Sequence, residues 1–199
     1  AQEVEQSVVA KKAQTMWDRA AECNIHPYLE AKGVPSHGLR QYKDALLIPL
    51  FNSNGAVQTL QFINEAGEKR FLRGGKKKGG FYCIGTDFLA EATVINYAEG
   101  YATAASYYAH HQQPVMVSFD AGNLQPVAEA VFAVYPDAKH VFIADFDESK
   151  TGEQKAIAAA QAIKQAGGRA EVLMPEQIGD YNDVAQAVEG ELIPRLQEV

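Results

Sequence analysis

Residues 93–100 read TVINYAEG, and residues 101–111 read YATAASYYAHH. The first stretch is a short apolar run ending in an acid and a glycine; the second has helical composition. The same alternation returns in PVMVSF (114–119) with LQPVAEAVFAVY (124–135), and in HVFIADF (140–146) with EQKAIAAAQAIKQA (153–166), which Gly167 and Gly168 close. It returns once more in AEVLM (170–174) with DVAQAVEGELIPRLQEV (183–199), read as a helical tail. Strands this apolar have no face to give to water, and strands separated by helices run parallel. The pattern therefore predicts an α/β fold: a parallel four-stranded sheet with helices on both faces.

Upstream the rhythm differs. Residues 3–23 predict a helix ending near Asn24, and HPYLEAKG (26–33) a short second helix closed by Gly33. ALLIPLF (45–51), the turn NSNG (52–55) and AVQTLQFI (56–63) predict a hairpin. NEAG (64–67) is a further turn, KRFL (69–72) a third strand, GGKKKGG (74–80) a flexible basic loop, and FYCIG (81–85) another short strand. The change of rhythm near residues 85–92 divides the chain into a small α+β subdomain, 1–90, and an α/β domain, 91–199. No Pro- or Ser-rich linker lies between them, so the two parts are expected to pack together.

Bulk properties narrow the function class. A content of 47% hydrophobic and 22% charged residues over 199 positions is that of an ordinary globular protein. No apolar run approaches the ~18 residues of a membrane span, and AQEVEQSVVAKK lacks the apolar segment of a signal peptide. Cys23 and Cys83 form no CxxC pair, which argues against a zinc knuckle or disulfide framework and fits a reducing, cytoplasmic compartment. The chain begins without Met, as a piece excised from a longer protein would. Its net charge of -7 is unevenly spread: residues 1–88 hold 12 Lys and Arg against 9 Asp and Glu, residues 89–199 hold 6 against 16. Lys69, Arg70, Arg73, Lys76, Lys77 and Lys78 crowd one short stretch. Such a division fits phosphate backbone held near a cation-binding carboxylate cluster, and equally fits a solvated basic loop with an acidic surface.

The acids fall where a parallel sheet binds ligands, at the carboxyl ends of its strands. Glu99 follows TVINYA, with Gly100 opening the next helix; Asp120 follows PVMVSF; Asp145 and Asp147 end HVFIADFD; Asp180 and Asp183 lie in GDYNDVA. In extended geometry Asp145 and Asp147 point the same way and Phe146 the other. Each acid taken singly has helix capping as its simpler explanation. Jointly, Glu99, Asp145 and Asp147 would repel one another unless a hard divalent cation compensated them. For Asp120 and Asp183 both readings stay open.

On these residues a resemblance can be stated. The order strand, Glu-Gly, helix, then strand, Asp-x-Asp, helix, here INYAEGYATA and IADFDESKTGEQKA, resembles the Toprim domain of bacterial-type primases, topoisomerases and some nucleases. That match covers roughly residues 93–187. HPYLEAKGV, the segment LLIPLFNSNGAVQTLQFINEAGEKRFLRGGKKKGGFY, SFDAGNLQPVAEAV and DYNDVA look like the plasmid- and phage-encoded primases, which extends the resemblance to about 26–187. The resemblance implies nucleotidyl transfer on a single-stranded DNA template, making RNA primers from nucleoside triphosphates. The chain would be the catalytic core of a larger replication or plasmid-transfer protein, alongside a helicase or other domains. It implies that Asp145 and Asp147 hold Mg²⁺, or Mn²⁺ in its place, with Glu99 in acid–base work or metal binding and Asp120 as a further ligand. Gly100, Asn123, Asp180 and Asp183 would support them, and Lys69, Arg70, Arg73 and Lys76 to Lys78 would contact template or nucleotide phosphates. Members of this family place Gly or Asn soon after Asp-x-Asp, where this chain has ESKT and then Gly152. The zinc-binding module common in such primases has no counterpart in these residues, so low activity of the chain alone is expected.

Other chemistries are disfavoured. Gly74 and Gly79 have Walker A spacing, but Gly80 and Phe81 stand where Lys and Ser/Thr are required. There is no GxSxG, and His26, His37, His110, His111 and His140 show no metal-ligand spacing. His110 and His111 are expected to cap the carboxyl end of their helix, Met16 and Trp17 to be core or docking residues, and Tyr97, Tyr101, Tyr107 and Tyr108 to pack. No segment resembles the nucleophile domain of a topoisomerase, and no Lys closes AEVLM as a receiver-type phosphoacceptor domain would need. Two alternatives to primer synthesis remain: a Toprim nuclease using water as the attacking group, and a metal- or nucleic-acid-binding module without turnover.

Overall fold

The computed structural model describes residues 1–187 and 193–199. They form two compact units, Ala1–Tyr82 and Cys83–Val199.

The first unit is an antiparallel sheet with one long helix on it. In chain order it holds α1 (Gln2–Arg19), β1 (Ala21–Glu22), α2 (Pro27–Lys32), β2 (Arg40–Tyr42), β3 (Ala45–Phe51), β4 (Val57–Ile63) and β5 (Lys69–Phe71), and the sheet order is β1-β2-β3-β4-β5. The NSNG turn joins β3 and β4 as the sequence predicts. Asn52 Oδ1 accepts from the N–H groups of Asn54 and Ala56 at 3.0 Å each, and Gly55 supplies a φ of 80°. Ala13 and Trp17 of α1 pack on Leu47, Val57, Leu60 and Phe62, so Trp17 is a core residue, and half-buried Met16 packs against that cluster.

The first helix is shorter than its composition predicts. It stops at Arg19, and Ala21–Glu22 turn into a strand paired with Arg40 and Gln41. The cause is tertiary: Ala21 and Glu22 pair with β2, and the Arg40 guanidinium, 4.4 Å over the Trp17 ring, caps the helix end by donating at 2.6 Å to the Trp17 carbonyl, which also accepts from the Ala20 N–H. The second helix ends at Gly33 in left-handed backbone, as expected, and His26 Nδ1 accepts from the Tyr28 N–H at its other end.

The second unit is the α/β part. It holds β6 (Tyr82–Ile84, starting at the junction), β7 (Val94–Ala98), α3 (Tyr101–His111), β8 (Val115–Val117), α4 (Leu124–Val134), β9 (Lys139–Ile143), α5 (Thr151–Gln165), β10 (Arg169–Pro175), α6 (Tyr181–Ala187) and β11 (Leu196–Glu198). The sheet order is β11-β10-β9-β7-β8-β6. The four predicted strands, β10, β9, β7 and β8, pair in parallel at its centre. Because β7 leads to β8 in one direction and β8 leads to β9 in the other, right-handed crossovers put α3 on one face and α4 with α5 on the opposite one. The packing pairs agree: α4 lies on α5, and α3 on α6. The reversal makes a switch point at the carboxyl ends of β7, β8 and β9.

Three details differ from expectation. Part of the predicted helical tail, residues 188–192, lies outside the described residues, and beyond them Leu196–Glu198 form a strand antiparallel to β10. Pro194 cannot continue a helix, while the open edge of β10 offers hydrogen-bond partners. His110 and His111 do not cap α3. Gln112 does, in left-handed backbone, with its amide Nε2 3.2 Å from the carbonyls of Tyr108 and Ala109. The apolar-looking strands also bury a polar pair, Tyr97 Oη and His140 Nδ1, 2.7 Å apart. Tyr97, Tyr101 and Tyr107 are packing residues as expected. Among the described residues no helix is long and apolar enough to cross a membrane.

Candidate metal centre

Glu99 follows the last residue of β7, and Gly100 is the cap residue of α3. A Cβ on Gly100 would meet no atom within 4 Å beyond its chain neighbours, so open space lies at the start of α3. Asp145 follows β9 by one alanine. Its Oδ1 is buried and has no hydrogen-bond partner among the described residues. Burial above all, then the charges of Glu99, Asp180, Asp147 and Asp183, pushes the Asp145 carboxyl up to about 7 from 3.8. A buried, unpartnered carboxylate oxygen among four acids is costly as it stands, and a cation would relieve it.

Gly152, near the start of α5, shows how close Glu99 and Asp145 are. A Cβ placed there would stand 3.9 Å from Asp145 Cβ and from Asp145 N, and 3.9 Å from Glu99 Oε2. The ESKT segment brings a glycine to that point through a turn in which Lys150 takes a φ of 55°. The sequence marks Gly152 only as a glycine that comes later after Asp-x-Asp than the family pattern has it, without indicating its approach to Glu99 and Asp145.

Asp147 is exposed. It accepts from Ser149 Oγ at 2.6 Å and from the Lys150 N–H at 2.9 Å. The Ser149 hydrogen bond, followed by weaker help from backbone N–H groups, holds its carboxyl below the usual range. Its neighbour Phe146 exchanges backbone hydrogen bonds with Gly179, at 3.0 and 2.9 Å. That bridge ties the Asp145–Asp147 segment to the loop leading into α6 and explains why Asp180 and Asp183 join the cluster. These two cap each other: Asp180 Oδ1 accepts from the Asp183 N–H at 2.8 Å, and Asp183 Oδ2 accepts from the Asp180 N–H at 3.4 Å.

Asp120 caps the short 3₁₀ turn Ala121–Asn123, its Oδ1 accepting from the Asn123 N–H at 2.9 Å. It is not among the charges that raise Asp145. Buried Asn123 donates from Nδ2 to the Ser118 carbonyl at 2.8 Å, Ser118 Oγ donates to the Ala98 carbonyl at 3.2 Å, and the Phe119 N–H donates to the Glu99 carbonyl at 2.8 Å. The loop after β8 is thus fastened to the end of β7, with Phe119 held at a φ of 74°. Ser118 and Ser149 are contributors that carried no signal beyond being hydroxyls beside acids. Among the described residues, no three His, Cys, Asp or Glu side chains are arranged to share one ion as they stand. Glu99 and Asp145 already flank one point, whereas Asp147 is engaged by its own turn.

The basic residues lie in the first unit, where GGKKKGG is a docked loop and not the flexible one expected. A Cβ on Gly75 would stand 2.0 Å from Thr59 Oγ1, and one on Gly80 2.9 Å from Leu50 Cβ, so both glycines press backbone onto the sheet. Gly74 and Gly79 turn the chain with φ of 79° and 75°. The cationic groups sit on rings: Lys77 Nζ 4.5 Å from the centre of Phe71, Arg70 5.4 Å from Phe62, Lys69 5.7 Å from Tyr28.

With this geometry described, similarities to known proteins can be set beside it. Residues 94–190 match the family model of the Toprim domain. Two Escherichia coli proteins, each a DNA primase TraC, are 38% and 37% identical to the chain over 155 residues, 72% of its length. The chain spans only 10% and 14% of those relatives. In fold it is similar to a DnaG primase catalytic domain bound to ssDNA, with a TM-score of 0.65 at 12% identity over 94% of this chain and 76% of that one. It is similar also to a DNA primase domain from Pseudomonas aeruginosa, with a TM-score of 0.57 at 16% identity over 74% of this chain and 48% of that one.

Proposed function

Since this chain belongs to the Toprim primases of the plasmid-encoded type, we propose that it is the nucleotidyl-transfer core of a DNA primase, joining ribonucleotides on a single-stranded DNA template. The observation that carries the reading is the orphaned Oδ1 of Asp145, buried beside Glu99 at the switch point of the sheet. A group so placed fits one purpose well, the holding of a divalent cation. Asp145, Glu99 and, after leaving its Ser149 contact, Asp147 would hold Mg²⁺ or Mn²⁺; Asp120 is a further candidate. The bound cation would supply charge neutralisation at the phosphoryl group and lower the pKa of the attacking hydroxyl.

The chain's own groups do the rest. If it is not itself a ligand of the cation, Glu99 would instead accept the proton released by a 3′-hydroxyl. Lys69, Arg70, Arg73, Lys76, Lys77 and Lys78 would bind template or triphosphate oxygens, and the rigid seating of their loop would keep those cations in register. Asp180 and Asp183 would set the charge around Asp145, and Gly152 would keep the approach to both acids clear. Where the parent protein is much longer, as its relatives are, a helicase or other domains would raise the activity of this core.

The test is direct. The protein is incubated with single-stranded DNA, labelled ribonucleoside triphosphates and Mg²⁺ or Mn²⁺. Short new oligomers that disappear in Asp145→Ala are expected. Cleaved DNA without oligomers would instead mark a Toprim nuclease, and neither product a binding module without turnover.

A further inference from the structure

The amino end of α6 is held by a side-chain plug that the acid cluster does not itself require. Tyr181 is fully buried, and its hydroxyl lies 2.9 Å from His110 Nδ1 and 3.3 Å from His111 Nε2. Tyr107 stacks on His111 with ring centres 4.0 Å apart and meets the Tyr181 ring edge-on at 5.2 Å. The next residue, Asn182, is also buried and donates from Nδ2 to Ser106 Oγ at 2.8 Å. All of these partners come from the last turns of α3, the helix that begins beside Glu99.

A hydroxyl has one proton and can accept others, so Tyr181 can donate to one imidazole while accepting the N–H of the other. One imidazole nitrogen as acceptor and the other as N–H donor would satisfy it fully, which is the arrangement a buried hydroxyl needs. Tyr181 and Asn182 stand between Asp180 and Asp183, and the residue before Asp180, Gly179, is bridged to Phe146 between the other two aspartates. The acid loop is consequently pinned on both sides: by backbone to the Asp145–Asp147 segment, and by Tyr181 to α3.

Resting on the metal-centre reading above, we infer that Tyr181, through its hydrogen bonds to His110 and His111, is a positioning residue that sets where Asp180 and Asp183 stand relative to Asp145. Loss of the hydroxyl leaves the ring to fill the core but frees α6 to shift. The carboxylates then no longer face the centre at the right place, and cation affinity falls.

The experiment is a Mn²⁺ binding titration, followed by paramagnetic relaxation of water, on the whole chain as wild type, Tyr181→Phe, Asp180→Asn and the double variant. Asn at 180 can still cap α6 and removes only the charge. Expected are a roughly tenfold weaker affinity in Tyr181→Phe, the range known for residues that orient ligands, and a double variant no weaker than the weaker single one. Rescue by His110→Gln, which keeps a donor and acceptor at that place, should return most of the affinity relative to His110→Ala. Wild-type affinity in Tyr181→Phe, or losses that simply add, would overturn the inference. If Tyr181→Phe melts early, the His110 pair decides: equal affinity in His110→Gln and His110→Ala overturns it. Absence of Mn²⁺ binding by wild type itself would instead bring down the metal-centre reading.

Discussion

Asp145 is the residue on which stability and function are set against each other. Its carboxyl is held near about 7 in the folded chain against 3.8 for the free group. Between those values the folded state binds the proton more tightly than the unfolded one, so stability falls as pH rises through that window, and the loss is complete above about 7. At roughly 1.4 kcal/mol per pKa unit the penalty is a few kcal/mol. In metal-free buffer, Asp145→Asn should therefore melt higher than wild type by a margin that grows from pH 4 to pH 7 and then levels off. Thermal melts across that range check it; a margin that stays flat would show that the carboxyl ionises without strain. Addition of Mg²⁺ should narrow the margin at pH 8. At this scale the sequence was informative about where the acids stand, Glu99 after β7 and Asp145 after β9, because strand ends in an α/β pattern are fixed by the pattern itself. It was silent on how they differ: no spacing distinguishes half-buried Asp145 from exposed Asp147, since that depends on the Ser149 turn and the Phe146–Gly179 bridge.

At the scale of elements, the alternation of strands and helices was legible throughout residues 93–187, because the strands are short and largely apolar and the segments between them have helical composition, one of them closed by Gly167. The misreadings fall where a partner distant in sequence decides. Arg40 ends the first helix early, the edge of β10 draws Leu196–Glu198 into a strand, and Tyr181 takes the two histidines from their expected caps. GGKKKGG is the clearest case, since glycine is as much a sign of close packing as of mobility. Gly75→Ala should accordingly destabilise the first unit by about 3 kcal/mol through overpacking against Thr59. Gly79→Ala, with nothing within 4 Å but a φ of 75°, should cost only about 1 kcal/mol. Denaturant midpoints of the two variants compare them, and equal midpoints would mean that the loop is not seated as described.

For the whole molecule the division of charge is the leading fact. Residues 1–82 carry 12 Lys and Arg against 8 Asp and Glu, while 83–199 carry 6 against 17. If the first unit binds template, its affinity for single-stranded DNA must fall with salt. Replacing Lys76, Lys77 and Lys78 by Gln should reduce the slope of log affinity against log salt by about 2, at roughly 0.7 per phosphate contact. An unchanged slope in a fluorescence anisotropy series would remove those lysines from the interface.

Phe119 carries a quieter consequence. A bulky side chain in left-handed backbone sits about 1 kcal/mol or more uphill, and here the peptide so bent is the one whose N–H grips the Glu99 carbonyl. Glycine at 119 would rest there without effort, so Phe119→Gly should unfold no sooner than its parent in spite of the lost ring. What it should forfeit is steadiness: Glu99 would wander, and Mn²⁺ would bind more loosely to a protein that calorimetry finds no weaker. At this one peptide, comfort and accuracy are rivals.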